Sequence, residues 1–374
     1  MNKLCLNLDV NTLTFEMFKK IFKETEEYVD FYKINLAFVK DDLLIKQIVK
    51  HVAENSFIEI ILDAKYGDIE NTNIQHHKYV KDLGVDGVTL NPFTGLQSLT
   101  PFLGNHYNSY ILLSTTNREQ EEWQRCISEK IINFAKTTMS RIICPSHQID
   151  YVRHIDPNAY ILCPGIGHQG GEISNKHNNI IYCVGRSVLN SNNWHLSIKS
   201  YRKQIDKVNF ILEMRDLECI QEKEVKLSSG ETSEIYFDFR KAFGENRSSH
   251  LNKWNIRNRI IQALLLHCQA EGVQNLVAIA EGGIPAAAIV AAKLNLNFAW
   301  VRKQQKQHGT KNQIEGFIDP SKKTLLFDDV VTTGNSINNA LEVLAQNYKF
   351  DNYIDYYCIL DRTEKKGIPS LFKY

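Results

Sequence analysis

Short apolar runs recur through the first half of the chain, and polar or charged residues repeatedly stand at their C-terminal ends. Leu4 to Leu8 runs into Asp9, Val29 to Tyr32 into Lys33-Ile-Asn35, and Ile58 to Leu62 into Asp63-Ala-Lys65-Tyr-Gly-Asp68. Asp86 to Leu90 leads to Asn91-Pro92, Tyr110 to Leu113 to Ser114-Thr-Thr-Asn117, and Arg141 to Cys144 to Pro145-Ser-His147. Tyr160 to Cys163 meets Pro164-Gly-Ile-Gly167, and Ile180 to Val184 ends in Gly185-Arg186-Ser187. Runs of this length, rich in β-branched residues, predict strands buried on both faces. Asn11 to Glu26 and Glu119 to Thr137 predict helices between them. Strands alternating with helices, with the chemistry at the strand C-termini, predict a (β/α)8 TIM barrel with lean loops.

A different pattern follows. Asn190-Ser-Asn-Asn193 reads as a loop and Trp194 to Arg215 as a helix of mixed charge, which places a domain boundary near residue 205. Domains over 1–205 and 206–374 are expected. From Glu224, β segments with Ser, Thr and Gly give way to alternating helices and strands, an α/β pattern. There Leu325-Leu-Phe-Asp328-Asp329-Val-Val-Thr332-Thr333-Gly334-Asn-Ser336 runs from apolar residues through two acids into a hydroxyl-rich turn, before a helix from about Ile337. Such a turn offers backbone amides and a helix N-terminus to a phosphate, while the acids suit ribose hydroxyls.

Three charges at the end of a buried strand, Asp63, Lys65 and Asp68, are costly unless they pair. They point to proton delivery in a shaped pocket. Taken alone, the hexapeptide reads equally as a surface ion pair. The glycines of Pro164-Gly-Ile-Gly-His-Gln169-Gly-Gly171 would let backbone amides approach a phosphate, with Gln169 and Arg186 as side-chain donors. A glycine-rich loop by itself is more often only a turn.

Together these motifs resemble the orotidine 5′-monophosphate decarboxylase family over nearly all of the first half. Phe31-Tyr-Lys33-Ile-Asn35 is similar to its first catalytic lysine strand. Asp63, Lys65 and Asp68-Ile69 fit its D-x-K-x-x-D-I motif, with Thr72 at the following threonine, and Asn91-Pro92-Phe-Thr-Gly95 resembles its N-P-x-x-G turn. The resemblance implies that Lys65 protonates the ring carbon that loses carbon dioxide and that Asp63 lies against the departing carboxylate. It implies that Lys33 holds the charge network and that Asp68 reaches into a partner's site. Asp9 and Thr116 would contact ribose and pyrimidine, and no cofactor would be needed, because preorganised charge stabilises the carbanion. One departure is Ser114, where close relatives have Arg; it is expected to alter packing and not chemistry.

The second half resembles the type I phosphoribosyltransferases through the 325–336 motif, which is similar to their phosphoribosyl pyrophosphate signature. Within them it resembles orotate phosphoribosyltransferase. Ala299-Trp-Val-Arg302-Lys303-Gln-Gln-Lys306-Gln-His308-Gly309 looks like that family's mobile loop, a flap suited to close over pyrophosphate. Read from residues alone, it is also a solvated basic loop or a nucleic-acid patch. Leu227 to Asp238, with Tyr236 and Phe237, resembles the orotate-binding segment. Leu360-Asp361-Arg362-Thr-Glu364 resembles a late motif whose arginine grips the orotate carboxylate in bidentate fashion. The implied fold is a mostly parallel sheet with helices and a small hood. The implied roles give the leaving pyrophosphate to Lys303, Lys306 and His308, and phosphoribosyl binding to Arg302, Asp328, Asp329, Thr332, Thr333 and Gly334. Two residues depart from the pattern. Ser228 stands where relatives have Lys, with Lys226 one pleat pair earlier on the same strand face. Glu281 stands where relatives often have Tyr beside the pyrophosphate, and an acid there is unfavourable unless magnesium bridges it.

The two halves together resemble the fused enzymes of the last two steps of pyrimidine synthesis, with the decarboxylase first. That resemblance implies orotate, phosphoribosyl pyrophosphate and orotidine 5′-monophosphate as substrates, Mg2+ for the transferase half, and a homodimer or larger homo-oligomer. Two other readings stand beside it. Only the decarboxylase half works, or the second half is a nucleotide-sensing RNA binder using Arg302, Lys303, Lys306 and Lys311, whose binding would weaken steeply with salt.

Composition changes the picture little. A length of 374 residues suits two domains, and a net charge of +1 gives no general attraction to nucleic acid or membrane. No apolar run approaches a membrane span, and Met1-Asn-Lys3 leads straight into a strand with no room for a signal peptide. Cys5, Cys144, Cys163, Cys183 and Cys358 lie in apolar strand runs without C-x-x-C pairing, so buried thiols in the reducing cytoplasm are expected. His76-His77 has no further ligand pattern and reads as surface, so no metal ligand set is assigned.

Overall fold

The structure, a computed structural model, describes residues 1–115, 121–226, 232–244, 256–302, 312–363 and 369–373. Thr116, Ser228, Lys303, Lys306 and His308 lie outside the described residues, as does the side chain of Lys226. The chain divides into two compact units, Met1–Leu212 and Glu213–Tyr374.

In the first unit β1 (Lys3–Asn7), α1 (Phe15–Thr25), β2 (Phe31–Asn35), α2 (Asp42–Asn55), β3 (Glu59–Tyr66), α3 (Glu70–Leu83) and β4 (Gly87–Leu90) alternate. They are followed by β5 (Asn108–Leu112), α4 (Glu121–Thr137), β6 (Arg141–Ile143), α5 (Ile149–Ile155), β7 (Ile161–Cys163), β8 (Ile180–Val184), α6 (Arg186–Leu189) and the long α7 (Trp194–Asp216), of which the last four residues fall in the second unit. Each strand pairs in parallel with the next, and β8 returns to β1, closing the barrel. Helix boundaries follow local chemistry. The Thr14 hydroxyl accepts the Met17 amide at 3.2 Å to cap α1, and Asp41 accepts the Leu43 and Leu44 amides to cap α2. Phe18, Ile21, Phe22 and Thr25, spaced three and four apart, are the buried stripe of α1.

The strand period of two divides the core. Leu4, Leu6, Tyr32, Ile34, Ile60 and Leu62 face the helices. Cys5, Phe31, Ile61, Tyr110, Leu112, Ile143, Leu162, Ile181 and Cys183 fill the barrel interior. Lys33 follows Phe31 by two and Asp63 follows Ile61 by two, so both point inward at the C-terminal rim.

Two connections differ from the expected strand–helix alternation. Between β4 and β5 the chain makes 3-10 turns at Pro92–Thr94 and Leu96–Phe102. Pro92, Pro101 and Gly95, at φ 115°, oppose a continuous α-helix there. From β7 to β8 runs a loop in which Gly165, Gly167 and Gly170 all have positive φ.

The second unit opens with an antiparallel pair, β9 (Ile220–Lys226) and β10 (Thr232–Phe237), then α8 (Arg240–Gly244) and α9 (Ile256–Glu271). β11 (Asn275–Ile279), α10 (Ile284–Leu294), β12 (Asn297–Val301), β13 (Ile314–Gly316), β14 (Thr324–Val331), α11 (Asn335–Asn347), β15 (Ile354–Asp361) and β16 (Ser370–Lys373) complete it. The sheet order is β13-β12-β11-β14-β15-β16, parallel except where β13 joins β12. α11 begins at Asn335, two residues before the expected Ile337, because Gly334 at φ 80° supplies the left-handed turn from which the helix starts. Among the described residues no helix is long and apolar enough to cross a membrane.

Candidate active sites

At the barrel rim, Asp63 stands between two lysines. Its Oδ2 accepts from Lys33 Nζ, and its Oδ1 accepts from Lys65 Nζ at 2.6 Å and from the Thr89 hydroxyl at 2.9 Å. Lys33 and Asp63 side chains are only 6% and 8% exposed, whereas Lys65 is 42% exposed. The buried pair anchors the array, and Lys65 is the member that faces outward. Burial alone would raise the Asp63 carboxyl, but Lys33 and Lys65 outweigh it and hold it well below the usual carboxylate range. Burial likewise opposes charge on Lys33, and Asp63 and Asp9 overcome it, leaving the ammonium raised.

A local distortion aims Lys65. The β3–β4 register shifts between Leu62 and Tyr66, and Lys65 takes φ 50°, a left-handed conformation unusual for a side-chain-bearing residue. Its amide donates to Thr89 Oγ1 at 2.9 Å, so Thr89 holds both the Lys65 backbone and the Asp63 carboxylate. Thr89 is not among the residues singled out in the sequence. Its one signal was a hydroxyl at the C-terminal end of an otherwise apolar strand.

Asp9 lies beside this network. Burial raises its carboxyl against the opposing pull of Lys33, with smaller effects of Asp63, Lys65 and Arg186. Its Oδ1 is buried without a hydrogen-bond partner among the described residues. Asp68 is exposed, and its Oδ1 accepts the Ile69 amide at 2.7 Å. The fully buried Asn73 ties that segment down. It bridges the Asp68 amide and carbonyl and the Ser98 carbonyl, and Thr72 beside it is half-buried in the first turn of α3.

The β7–β8 loop folds on itself, with the amides of Gly167, Gly170 and Gly171 donating to carbonyls within the loop. Exposed Gln169 and Arg186 border it. A Cβ on Gly167 would collide with the Tyr201 hydroxyl and crowd Ser187 Oγ, so glycine is required there by space as well as by φ. Ser114, buried, donates to Gln148 Oε1 and ties the ends of β5 and β6 together. His76 and His77 are half-buried and not surface groups: His76 stacks on Tyr66 at 4.0 Å, and His77 meets the Tyr107 hydroxyl at 2.6 Å. Adjacent positions on a helix point to different neighbours.

In the second unit a cavity of about 260 Å³ opens at the C-terminal ends of the parallel strands, lined by Arg302, Gln313, Asp328, Thr332, Thr333 and Gly334 among others. Asp328 is buried within β14, three residues before its end at Val331, and its Oδ1 accepts the Asp329 amide at 2.9 Å. Arg302 lies at the cavity edge, where Nε donates to Glu315 at 3.0 Å and its backbone pairs with Gln313. Arg362 rests over the Phe237 ring at 5.0 Å and donates to the Ile235 carbonyl at 3.4 Å, joining the end of β15 to β10. Tyr236 approaches Arg240 at 3.5 Å, and Arg240 pairs with Glu281 at 3.2 Å, so the acid that departs from the expected pattern has a cationic partner.

Residues 2–201 match the orotidine 5′-phosphate decarboxylase / HUMPS family, and residues 250–367 match the phosphoribosyl transferase domain. The bifunctional enzyme PyrF/PyrE of Nostoc sp. is 24% identical over 385 aligned residues, spanning 87% of this chain and 77% of the relative. The orotate phosphoribosyltransferase of Aeropyrum pernix is 36% identical over 125 residues, 32% of this chain and 61% of the relative. Leishmania donovani UMP synthase is similar in fold at a TM-score of 0.50 and 20% identity, over 96% of this chain and 86% of that one. The chain belongs to the orotidine 5′-phosphate decarboxylase / HUMPS family, with a phosphoribosyl transferase domain following the barrel in the same polypeptide.

Proposed function

We propose that this chain is a bifunctional enzyme of UMP synthesis. Its second unit joins orotate to phosphoribosyl pyrophosphate, giving orotidine 5′-monophosphate and pyrophosphate. Its barrel then exchanges the carboxylate for a proton, giving UMP and carbon dioxide. The observation that carries the reading is the Lys33–Asp63–Lys65 array at the barrel rim, in a chain that also holds the Asp328 cavity.

In the barrel, Lys65 delivers its proton to the ring carbon as the carbon–carbon bond breaks. Asp63, kept ionised by its two lysines, lies against the departing carboxylate and favours its loss. Lys33 fixes Asp63, and Thr89 fixes both Asp63 and the Lys65 backbone. The orphaned Oδ1 of Asp9 suits a ribose hydroxyl. Thr72 and Thr116 complete the nucleotide contacts, and Gln169 and Arg186 take the phosphate. Asp68 is exposed, which supports a role in the partner's site within a homodimer. This half uses no cofactor.

In the transferase, Thr332, Thr333 and Gly334 cradle the phosphate, while Asp328 and Asp329 hold ribose hydroxyls. Tyr236, Phe237 and Arg362 bind orotate. Lys303, Lys306 and His308 meet the leaving pyrophosphate, and Arg302, at the cavity edge, binds the phosphoribosyl group. The hard carboxylate and hydroxyl oxygens lining the cavity fit Mg2+, which would neutralise pyrophosphate as it leaves. Eight unpaired cysteines, seven of them buried, fit the reducing cytoplasm. No nucleic acid takes part.

The test is carbon dioxide release from carboxyl-labelled orotate with phosphoribosyl pyrophosphate and Mg2+, beside a sample given orotidine 5′-monophosphate directly. Release from both, abolished in both by Lys65→Ala, is expected. Release only from the nucleotide would remove the transferase from the reading, and release from neither would remove both activities.

A further inference from the structure

One ion pair of the second unit has no role in the chemistry described so far. Arg240, the first residue of α8, is gripped by Asp238 through a two-pronged fork, Nε to Oδ1 at 2.7 Å and Nη2 to Oδ2 at 3.0 Å. The fork fixes the guanidinium plane and turns Nη1 toward Glu281 Oε2, 3.2 Å away. Glu281 precedes Gly282, where an added Cβ would strike the Asp329 carboxylate, so this turn is packed directly on the acidic pair. A single guanidinium thus spans from Tyr236 to the turn beside Asp329.

The two partners of Arg240 are unequal. The Asp238 side chain is 14% exposed and bonded in bidentate geometry, while Glu281 is 78% exposed and touches through one contact. A pair as exposed as Arg240–Glu281 is weak and exchanges readily. The Asp238 fork persists when Glu281 leaves. Two carboxylates on one guanidinium also leave an excess negative charge at the edge of a site for polyanions, which disfavours their entry.

We infer that Arg240 is a further anion-binding residue of the transferase site and that Glu281 is its resident, displaceable counter-ion. The inference rests on the transferase reading given above. The incoming group is a pyrophosphate, because Arg362 already serves the carboxylate end and the Arg240–Glu281 contact flanks Asp329. Pyrophosphate oxygens replace Glu281 at Nη1, and Glu281 swings into solvent. When pyrophosphate leaves, Glu281 returns, and the product is released more readily.

The experiment is a double-substitution cycle in the full-length protein. Binding of inorganic pyrophosphate with Mg2+ is measured by calorimetry, and KM for phosphoribosyl pyrophosphate by initial rates with orotate. Glu281→Gln is expected to tighten pyrophosphate about threefold to fivefold at low salt, fading as salt rises. Arg240→Gln is expected to weaken it about tenfold. In the Arg240→Gln background, Glu281→Gln is expected to tighten pyrophosphate by clearly less than in the wild type, because no contact is left to displace and only the general repulsion by the Glu281 charge is relieved. KM follows these affinities and kcat moves less. Unchanged affinity in Glu281→Gln, or equal tightening in both backgrounds, overturns the inference. Arg240→Lys keeps the charge without the fork and replaces Arg240→Gln if that variant misfolds; it should bind pyrophosphate more weakly than the wild type. A wild type that binds pyrophosphate but transfers nothing would sink the transferase reading, while the binding cycle still judges the pair.

Discussion

At the residue scale the barrel site is a problem in burying charge. Asp63→Asn leaves Lys33 charged and buried without its ion-pair partner, with only the Asp9 charge nearby, and is expected to cost about 3–5 kcal/mol of barrel stability. Replacing both, with Lys33→Met and Asp63→Leu, is expected to cost less, measured as urea midpoints of the barrel transition. A double variant as unstable as the single would contradict this account. The pH dependence follows from the directions of the shifts. Asp63 is lowered in the folded state, so its stabilisation is present above the ordinary value, near ~4, and disappears as acid passes through the folded value. Lys33 is raised, so its contribution is present below its ordinary value, near ~10, and disappears as alkali passes the folded one. Stability from the pair should therefore be flat between these limits and fall outside them. Lys65 is more exposed and anchors little. Lys65→Ala is expected to leave the unfolding midpoint nearly unchanged and to cut decarboxylation by at least about 10²-fold.

At the element scale the loops, more than the strands, hold the geometry. Gly167 sits at φ 77° with its Cα facing the Tyr201 hydroxyl of α7. Gly167→Ala is expected to displace the β7–β8 loop, raising KM for orotidine 5′-monophosphate more than it lowers kcat. Adding Tyr201→Phe removes the atom in conflict and should recover part of the loss. Equal kinetics for the single and double variants would show that strain, not the hydroxyl, sets the effect. On β3, the shifted register and left-handed Lys65 place the lysine within 2.6 Å of Asp63. Thr89→Val removes a donor to Asp63 and an acceptor for the Lys65 amide, and is expected to lower kcat while sparing KM.

At the scale of the whole molecule the prediction concerns assembly. Chains carrying Lys65→Ala and chains carrying Asp68→Ala should each be inactive in decarboxylation. Co-expressed, they should form mixed dimers in which one of two sites has both residues intact. Random pairing then gives about a quarter of wild-type activity. Activity no higher than in the separate variants would place Asp68 in its own barrel's chemistry, or outside the chemistry altogether.

The strand pattern, the motifs and the order of the two catalytic halves were all legible in the residues, because buried strands need apolar runs and charges collect where those runs end. Lys33, Asp63 and Lys65 stood out because charge beside a buried strand is rare. Tertiary structure decided what local pattern does not encode. Thr89 becomes a site residue only when β4 lies beside β3, and Asn73 only when its loop meets the turn near Ser98. The β4–β5 connection is made of 3-10 turns because Pro92, Gly95 and Pro101 act together. Glu281, unfavourable by itself in the sequence, acquires Arg240 from a segment some forty residues away. A carboxylate's cost depends on the charge that faces it, and that neighbour is set by how the chain packs.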